Sequence, residues 1–193
     1  MRLEALDYIC CPACNGNLNL TVQDAIENDV IEGTLDCRRC GRQFKILDGL
    51  PNLNFPETLE RADLSQQKIY DERAQWYDLR NRLSNIKWGR WQYICMENRV
   101  KQRLIKLLDL RENASVLETG TGTGRYLPII AENIGKKGKL HGSDISSKML
   151  EVGKKKIKAK GIQAELLMAN ASYLPYRSGI FDAVFHNGGL NSF

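Results

Sequence analysis

No window of this 193-residue chain approaches the ~18 consecutive apolar residues that a membrane-spanning helix needs, so bilayer insertion is not expected. The opening residues, Met1-Arg2-Leu3-Glu4, lack the apolar core of a secretory signal, and a cytoplasmic location is the expectation. There is no internal repeat and no low-complexity tract. Proline is absent from residues 57–110 and glycine occurs there only as Gly89, so that stretch reads as helix. The basic excess is equally plain in what it lacks. Lys136, Lys137 and Lys139, then Lys154, Lys155, Lys156, Lys158 and Lys160, have no aromatic side chains interleaved for base stacking. A solvated helix face is therefore favoured over an RNA-binding stripe.

What is present is a soluble globular composition, 42% hydrophobic and 26% charged, with a formal charge of +5. The length allows one or two domains. The charge is uneven, at −3 for residues 1–50, +3 for 51–112 and +5 for 113–193. Texture divides the chain in nearly the same places. Residues 1–55 are cysteine-bearing and turn-rich, closing on Asp48-Gly49-Leu50-Pro51. Residues 56–112 read as helices, with Ile94, Val100, Leu104, Leu107 and Leu108 spaced for one buried face. Residues 113–193 alternate: strand at Val116-Leu117, helix over 125–134, strand over 139–141, helix over 147–160 ending at Gly161, then strands over 165–168 and 181–185. That alternation predicts an α/β fold with a parallel, doubly wound sheet.

Two pairs, Cys11-Pro12-Ala13-Cys14 and Cys37-Arg38-Arg39-Cys40, are separated by 22 residues. Each CxxC turn aims two thiolates at one point, and two such turns make a tetrahedral four-sulfur zinc site. Gly16 and Gly41 follow the pairs where a tight knuckle needs permissive backbone. Four thiolates leave no open position for chemistry, so the metal reads as structural. Cys10 and Cys95 fall outside the pattern, and Cys10 is expected to pack. The run from Ile9 to Leu18, with Leu35–Ile46 and Asp48–Pro51, resembles the small zinc-ribbon domains fused to methyltransferases or supplied to them as activating subunits. The resemblance implies a role in structure and contacts.

Val116-Leu117-Glu118-Thr119-Gly120-Thr121-Gly122-Thr123-Gly124 follows a strand and opens a helix. A dinucleotide GxGxxG begun at Gly120 would need glycine or alanine at position 125, where Arg125 stands, and Glu118 sits just before the first glycine. The pattern Glu118-x-Gly120-x-Gly122-x-Gly124 instead resembles motif I of the class I S-adenosylmethionine-dependent methyltransferases. An acidic residue beside this loop suits a sulfonium cofactor that has no pyrophosphate. Asp144, 24 residues after Gly120, stands near the ~20-residue spacing at which a carboxylate takes ribose hydroxyls. A helix N-cap is its alternative role, since Ser146 and Ser147 follow.

Further segments extend the likeness. Met168–Tyr176 resembles the family's third-strand segment, where an Asp-Ala pair cradles adenine; here Asn170 replaces the aspartate and Ala171 follows. Ser178–Phe185 resembles the fourth strand, which places His186 and Asn187 beside the transferred methyl as candidate catalytic groups. Tyr70-Asp71-x-Arg73-Ala74-x-x-Tyr77-Asp78 resembles the cofactor-capping helix of quinone-biosynthesis-like (type 11) methyltransferases. The cofactor set implied by the resemblance is Tyr70, Tyr77, Glu118, Thr119, Gly120, Thr121, Gly122, Gly124, Asp144, Ile145, Met149, Asn170, Ala171 and His186.

The expectation is thus a Rossmann-like methyltransferase sheet of four strands behind a zinc ribbon, using S-adenosylmethionine and structural zinc on a small-molecule acceptor. Two alternatives stay open: a ribosomal RNA guanine methyltransferase, and a non-catalytic cofactor-binding or interaction protein. Family members have a longer sheet, so the resemblance implies a C-terminally truncated form. The bare edge of the fourth strand would then favour self-association.

Overall fold

The computed structural model describes residues 1–55, 57, 59–79 and 90–187, with side chains of 90–97 left out. Gly89 and the side chains of Ile94 and Cys95 lie outside the described residues.

The N-terminal unit is an antiparallel sheet in sequential order, β1 (Leu18–Ile26), β2 (Asp29–Cys37), β3 (Gln43–Leu47) and β4 (Leu50–Pro51). Alternate residues of β3 face inward, so Phe44 and Ile46 are buried while Gln43, Lys45 and Leu47 face solvent. With Ile9, Leu35 and Leu53 they build a core that Leu167 and Ala169 of the second unit complete.

Helix α1 (Arg61–Arg73) follows, then α2 (Arg90–Lys106). The expected buried face of α2 is shifted. Ile105 is buried and Leu104 and Leu108 are half-buried, whereas Val100 and Leu107 are exposed. At 3.6 residues per turn, Val100 sits about a quarter turn from the stripe centred on 104, 105 and 108. Leu107 lies past the last helical residue.

The second unit is a parallel sheet, β5 (Ser115–Thr119), β6 (Lys139–Asp144), β7 (Glu165–Met168) and β8 (Ala183–His186), with α3 (Leu127–Ile134) and α4 (Ser147–Ala159) as crossovers. Its order, β7-β6-β5-β8, is that of a doubly wound fold. The expected elements are all there, with small shifts. Helix α3 starts at Leu127, with Pro128 in its first turn where a missing N–H costs nothing. The last strand starts at Ala183, because Phe181 instead joins an aromatic cluster with Tyr8, His141 and Tyr176. All four residues of β7 are buried. That is unusual for an edge strand.

The N-terminal unit explains it by covering the outer edge of β7. Asn52 pairs with Met168 in parallel, Ile9 bridges Tyr176, and Arg2 pairs with Glu165. Cys10 donates its N–H to the Pro175 carbonyl at 3.0 Å, and Arg177 donates to Tyr8 at 2.9 Å. At the opposite edge, no strand among the described residues pairs with the far side of β8, and Val184 is exposed. Growth of the sheet reverses direction between β5 and β8. In open α/β sheets the ligand crevice lies at this switch point, beyond the carboxyl ends of the strands.

Candidate functional site

Every sequence-derived site residue outside the cysteines belongs to one end of this sheet or to the helical segment above it. Beyond β5 the chain turns through Gly120, Gly122 and Gly124, with φ of 65°, 53° and 69°, a left-handed backbone that other residues adopt at a cost. A Cβ on Gly120 would also stand 3.2 Å from the His186 ring. The loop is tied to β6: Thr121 donates its N–H to the Ser143 carbonyl at 3.0 Å, and Gly122 donates to Asp144 Oδ2 at 2.8 Å.

Asp144 closes β6. Its Oδ1 accepts the Ser146 N–H at 2.9 Å. Burial pushes its carboxyl above the ordinary value, opposed by these backbone donors. The cap of α4 is Ser146, whose hydroxyl accepts the Met149 N–H at 3.1 Å. The capping role weighed for Asp144 therefore falls to Ser146, and Asp144 faces the crevice.

Glu118 lies beneath the loop, fully buried, and accepts the Thr121 hydroxyl at 2.8 Å. Desolvation raises its pKa to about 8, and the nearby Asp144 adds to the rise. An isolated buried carboxylate is costly, so this group favours a cation close by.

At the end of β8, His186 Nδ1 stands 3.0 Å from both the hydroxyl and the carbonyl of Thr119. A carbonyl can only accept, which places the proton on Nδ1. Asn187 donates to the Tyr126 hydroxyl at 2.7 Å. At the end of β7, Asn170 Oδ1 accepts the Ser172 N–H at 3.0 Å, and its Nδ2 donates to Asp63 of α1 at 3.0 Å.

Helix α1 roofs the crevice and contains no fully buried residue, so polar bonds hold it. Gln67 donates to the Ile145 carbonyl at 3.1 Å. Asp71 accepts from the Ser146 hydroxyl and the Lys148 N–H. Just beyond the helix, Asp78 accepts the Thr123 hydroxyl at 2.9 Å and pairs with Lys156. Tyr70 and Tyr77 meet edge-on with centroids 6.4 Å apart, and Ala74 between them is buried.

The crevice holds a pocket of about 230 Å³. Its walls include Tyr70, Tyr77, Gly120, Gly122, Asp144, Ile145, Met149, Asn170, Ala171, His186 and Asn187. Glu118, Thr119 and Thr121 are buried and do not line it, and Gly124 lines a neighbouring hollow with Asp78 and Lys156. The sequence reading missed Asp63, Gln66 and Ala169, which also line the pocket. Asp63, Gln66 and Tyr70 recur at helical spacing, but a polar stripe gives no hydrophobic period to notice.

The second constellation lies in the N-terminal unit. The sulfur atoms of Cys11, Cys14, Cys37 and Cys40 all lie within 4.8 Å of one another. Cys11 and Cys40 stand 3.7 Å apart, and Cys14 and Cys37 3.4 Å. Tetrahedral zinc with bonds of about 2.3 Å separates its sulfurs by about 3.8 Å, so the four fit such an ion. Hydrogen bonds from the backbone and side chain of Arg42 lower the Cys40 thiol to about 6, whereas burial pushes the Cys11 thiol up to about 12 and raises Cys14, so the four would become thiolates together only beside a cation. The two knuckle glycines serve different ends. Gly41 has φ of 72°, whereas a Cβ on Gly16 would stand 2.9 Å from Cys37 Sγ. Cys10 is buried beside Asn15, outside the cluster.

Sheet order, glycine loop and strand-end carboxylate together define a Rossmann-like unit behind a four-cysteine ribbon. Residues 116–193 match the methyltransferase domain family, and residues 2–49 match the Trm112p-like proteins. A demethylmenaquinone methyltransferase of Bacillus pumilus is 32% identical over 127 residues, 65% of this chain and 49% of its own. One from Bacillus velezensis is 36% identical over 93 residues, 48% of this chain and 40% of its own. A solved S-adenosylmethionine-dependent methyltransferase from Aquifex aeolicus, 29% identical, aligns over 45% of this chain and 46% of its own with a TM-score of 0.42. At that score the fold rests on strand order and not on the superposition. The chain spans about half the length of the curated relatives it matches. Its C-terminal segment thus matches a methyltransferase domain, and its N-terminal segment a Trm112p-like domain.

Proposed function

We propose that this chain binds S-adenosylmethionine in the crevice under α1 and takes part in methyl transfer to a small, quinol-like acceptor. One observation carries the cofactor reading. The glycine loop and Asp144 are locked together by the Gly122 N–H, at the switch point of the sheet and under a polar roof. In this reading Asp144 takes the ribose hydroxyls, the end of β7 takes the base, and the loop with Glu118 beneath it faces the cationic end. S-adenosylmethionine supplies an electrophilic methyl on sulfur. The protein's part is to hold donor and acceptor in line and keep water out, which is mostly proximity and orientation. His186, protonated on Nδ1, turns Nε2 into an acceptor suited to receive a proton from the acceptor molecule. The zinc-ribbon reading makes the metal structural, holding the unit that covers β7.

The acceptor class draws support from the demethylmenaquinone methyltransferases among the relatives. The RNA reading draws less, because two lysines of α4 are engaged internally. Lys154 donates to the Asp48 carbonyl, and Lys156 donates to the Thr123 carbonyl at 2.8 Å. Self-association through β8 stays a proposal, which light scattering at rising concentration checks. The cofactor reading is tested by calorimetric titration with S-adenosylhomocysteine, where absence of binding at millimolar ligand defeats it. Labelled methyl transfer to a demethylquinol tests the acceptor; binding without transfer supports the non-catalytic alternative.

A further inference from the structure

We propose that Asp63, carried on α1, is the acceptor for the exocyclic amino group of the bound adenosine, displacing Asn170 from that task. The assignment rests on the nucleoside reading above. The pocket runs along the strand ends, from Gly120 and His186 through Asp144 to Ala169, Asn170 and Ala171, with Asp63 and Gln66 above the last. With the ribose at the end of β6, the base falls at the end of β7. An amino group there requires an oxygen acceptor.

Asn170 is poorly placed to supply it. Its Oδ1 accepts the Ser172 N–H as the cap of the short turn Ala171–Tyr173, which holds that oxygen against the turn's backbone. Its Nδ2 points to α1 and donates to Asp63 Oδ2 at 3.0 Å. What Asn170 turns toward the roof is therefore a donor. Asp63 answers it with an acceptor-only group. Asp63 Oδ2 also takes the Glu60 N–H at 3.0 Å, so two donors fix the carboxylate through one oxygen. Oδ1 is the oxygen left for the ligand. A carboxylate is the stronger partner for an amine, because a charged acceptor shortens and strengthens the bond. It also repels a carbonyl oxygen at the same place, which gives discrimination between amino and oxo purines.

The arrangement has a second consequence. In the pattern the resemblance implies, the base is read by the strand; here it is read by the roof, so adenine recognition depends on the seating of α1. Asn170 positions Asp63 and does not itself touch the amino group.

The test uses the full chain with two ligands, S-adenosylhomocysteine and its 6-oxo analogue S-inosylhomocysteine. Wild type is expected to prefer the amino ligand by roughly one hundredfold, and D63N to reduce that ratio at least tenfold while binding the oxo ligand no worse. Asn at position 63 keeps an oxygen for the Glu60 N–H, and D63S serves as a second variant if D63N misfolds. N170D, which sets two carboxylates side by side, is expected to weaken the amino ligand, and N170D/D63N to recover it. A D63N or D63S protein that keeps the wild-type ratio overturns the assignment. Wild type that binds neither ligand defeats the nucleoside reading itself, and the assignment with it.

Discussion

Leu53 donates its backbone N–H to the carbonyl of Met168 at 2.9 Å, beside the parallel pairing of Asn52 with the same residue. The segment leaving the N-terminal unit thereby becomes the outer neighbour of β7. Leu167 and Ala169 are buried in the ribbon's core and not in a core of their own unit. The two units are coupled through β7, and loss of one is expected to expose the other.

Metal removal tests this coupling. Stripping the chain with a strong chelator is expected to lower the thermal midpoint by ~10 °C or more, since structural zinc contributes folding free energy outright. Because β7 loses its cover, binding of a hydrophobic dye should rise well before the sheet melts. Metal analysis giving no zinc, with a midpoint indifferent to chelator, would sink the zinc assignment.

Gly16→Ala is expected to damage the same centre without touching a ligand. The added methyl would lie 2.9 Å from Cys37 Sγ and 2.8 Å from Arg39 Cβ, distances that force the knuckle apart. Zinc affinity should fall by roughly tenfold or more, the scale of a disturbed supporting shell. Competition with a colorimetric chelator measures it. Gly41→Ala should act through its φ of 72° instead, and by about 1–2 kcal/mol of stability.

Glu118 gives a pH signature. Its pKa is raised to about 8 from 4.5, so the folded chain holds a proton that the unfolded chain has released. Stability from this group is therefore intact below about pH 4.5 and declines as pH rises toward 8. Glu118→Gln removes the decline while keeping an oxygen for the Thr121 hydroxyl. The variant should gain on wild type by a few kcal/mol at pH 8 and by little at pH 5. Melting curves at both values read the difference, and a gap that does not change with pH contradicts it. The same variant is expected to bind sulfonium cofactor less tightly, because glutamine cannot release a proton to balance an incoming cation.

Asp78→Asn tests the polar roof. It removes the charge that pairs with Lys156 and weakens the bond from Thr123. The pair is partly exposed, so its contribution to global stability is small, within about 1 kcal/mol. Cofactor affinity is expected to fall about tenfold, with faster hydrogen exchange confined to residues 61–79. Exchange that accelerates throughout the sheet would point to a general fault.

Much of this was legible in the chain itself. The paired CxxC turns named four residues that converge, because a local turn fixes each pair and only the docking of the two is tertiary. The loop from Glu118 to Gly124 was equally plain, since three left-handed positions within five residues write themselves as glycine. The buried face of α2 was not. Val100 and Leu107 fit a helical period as well as Ile105 does, and only the neighbour against which the helix packs selects among them.

By itself, then, the sequence determined those features whose cause is local: strand and helix periods, glycine at positive φ, sulfur spacing, and the carboxylate closing β6. The tertiary structure decided what depends on distant partners. It gave Asp144 to the crevice by supplying Ser146 as the cap, turned the Asn170 amide toward Asp63 across 107 residues, and laid the ribbon along β7. Backbone conformation is set by a residue and its neighbours. A side chain's partner is set by which surfaces meet.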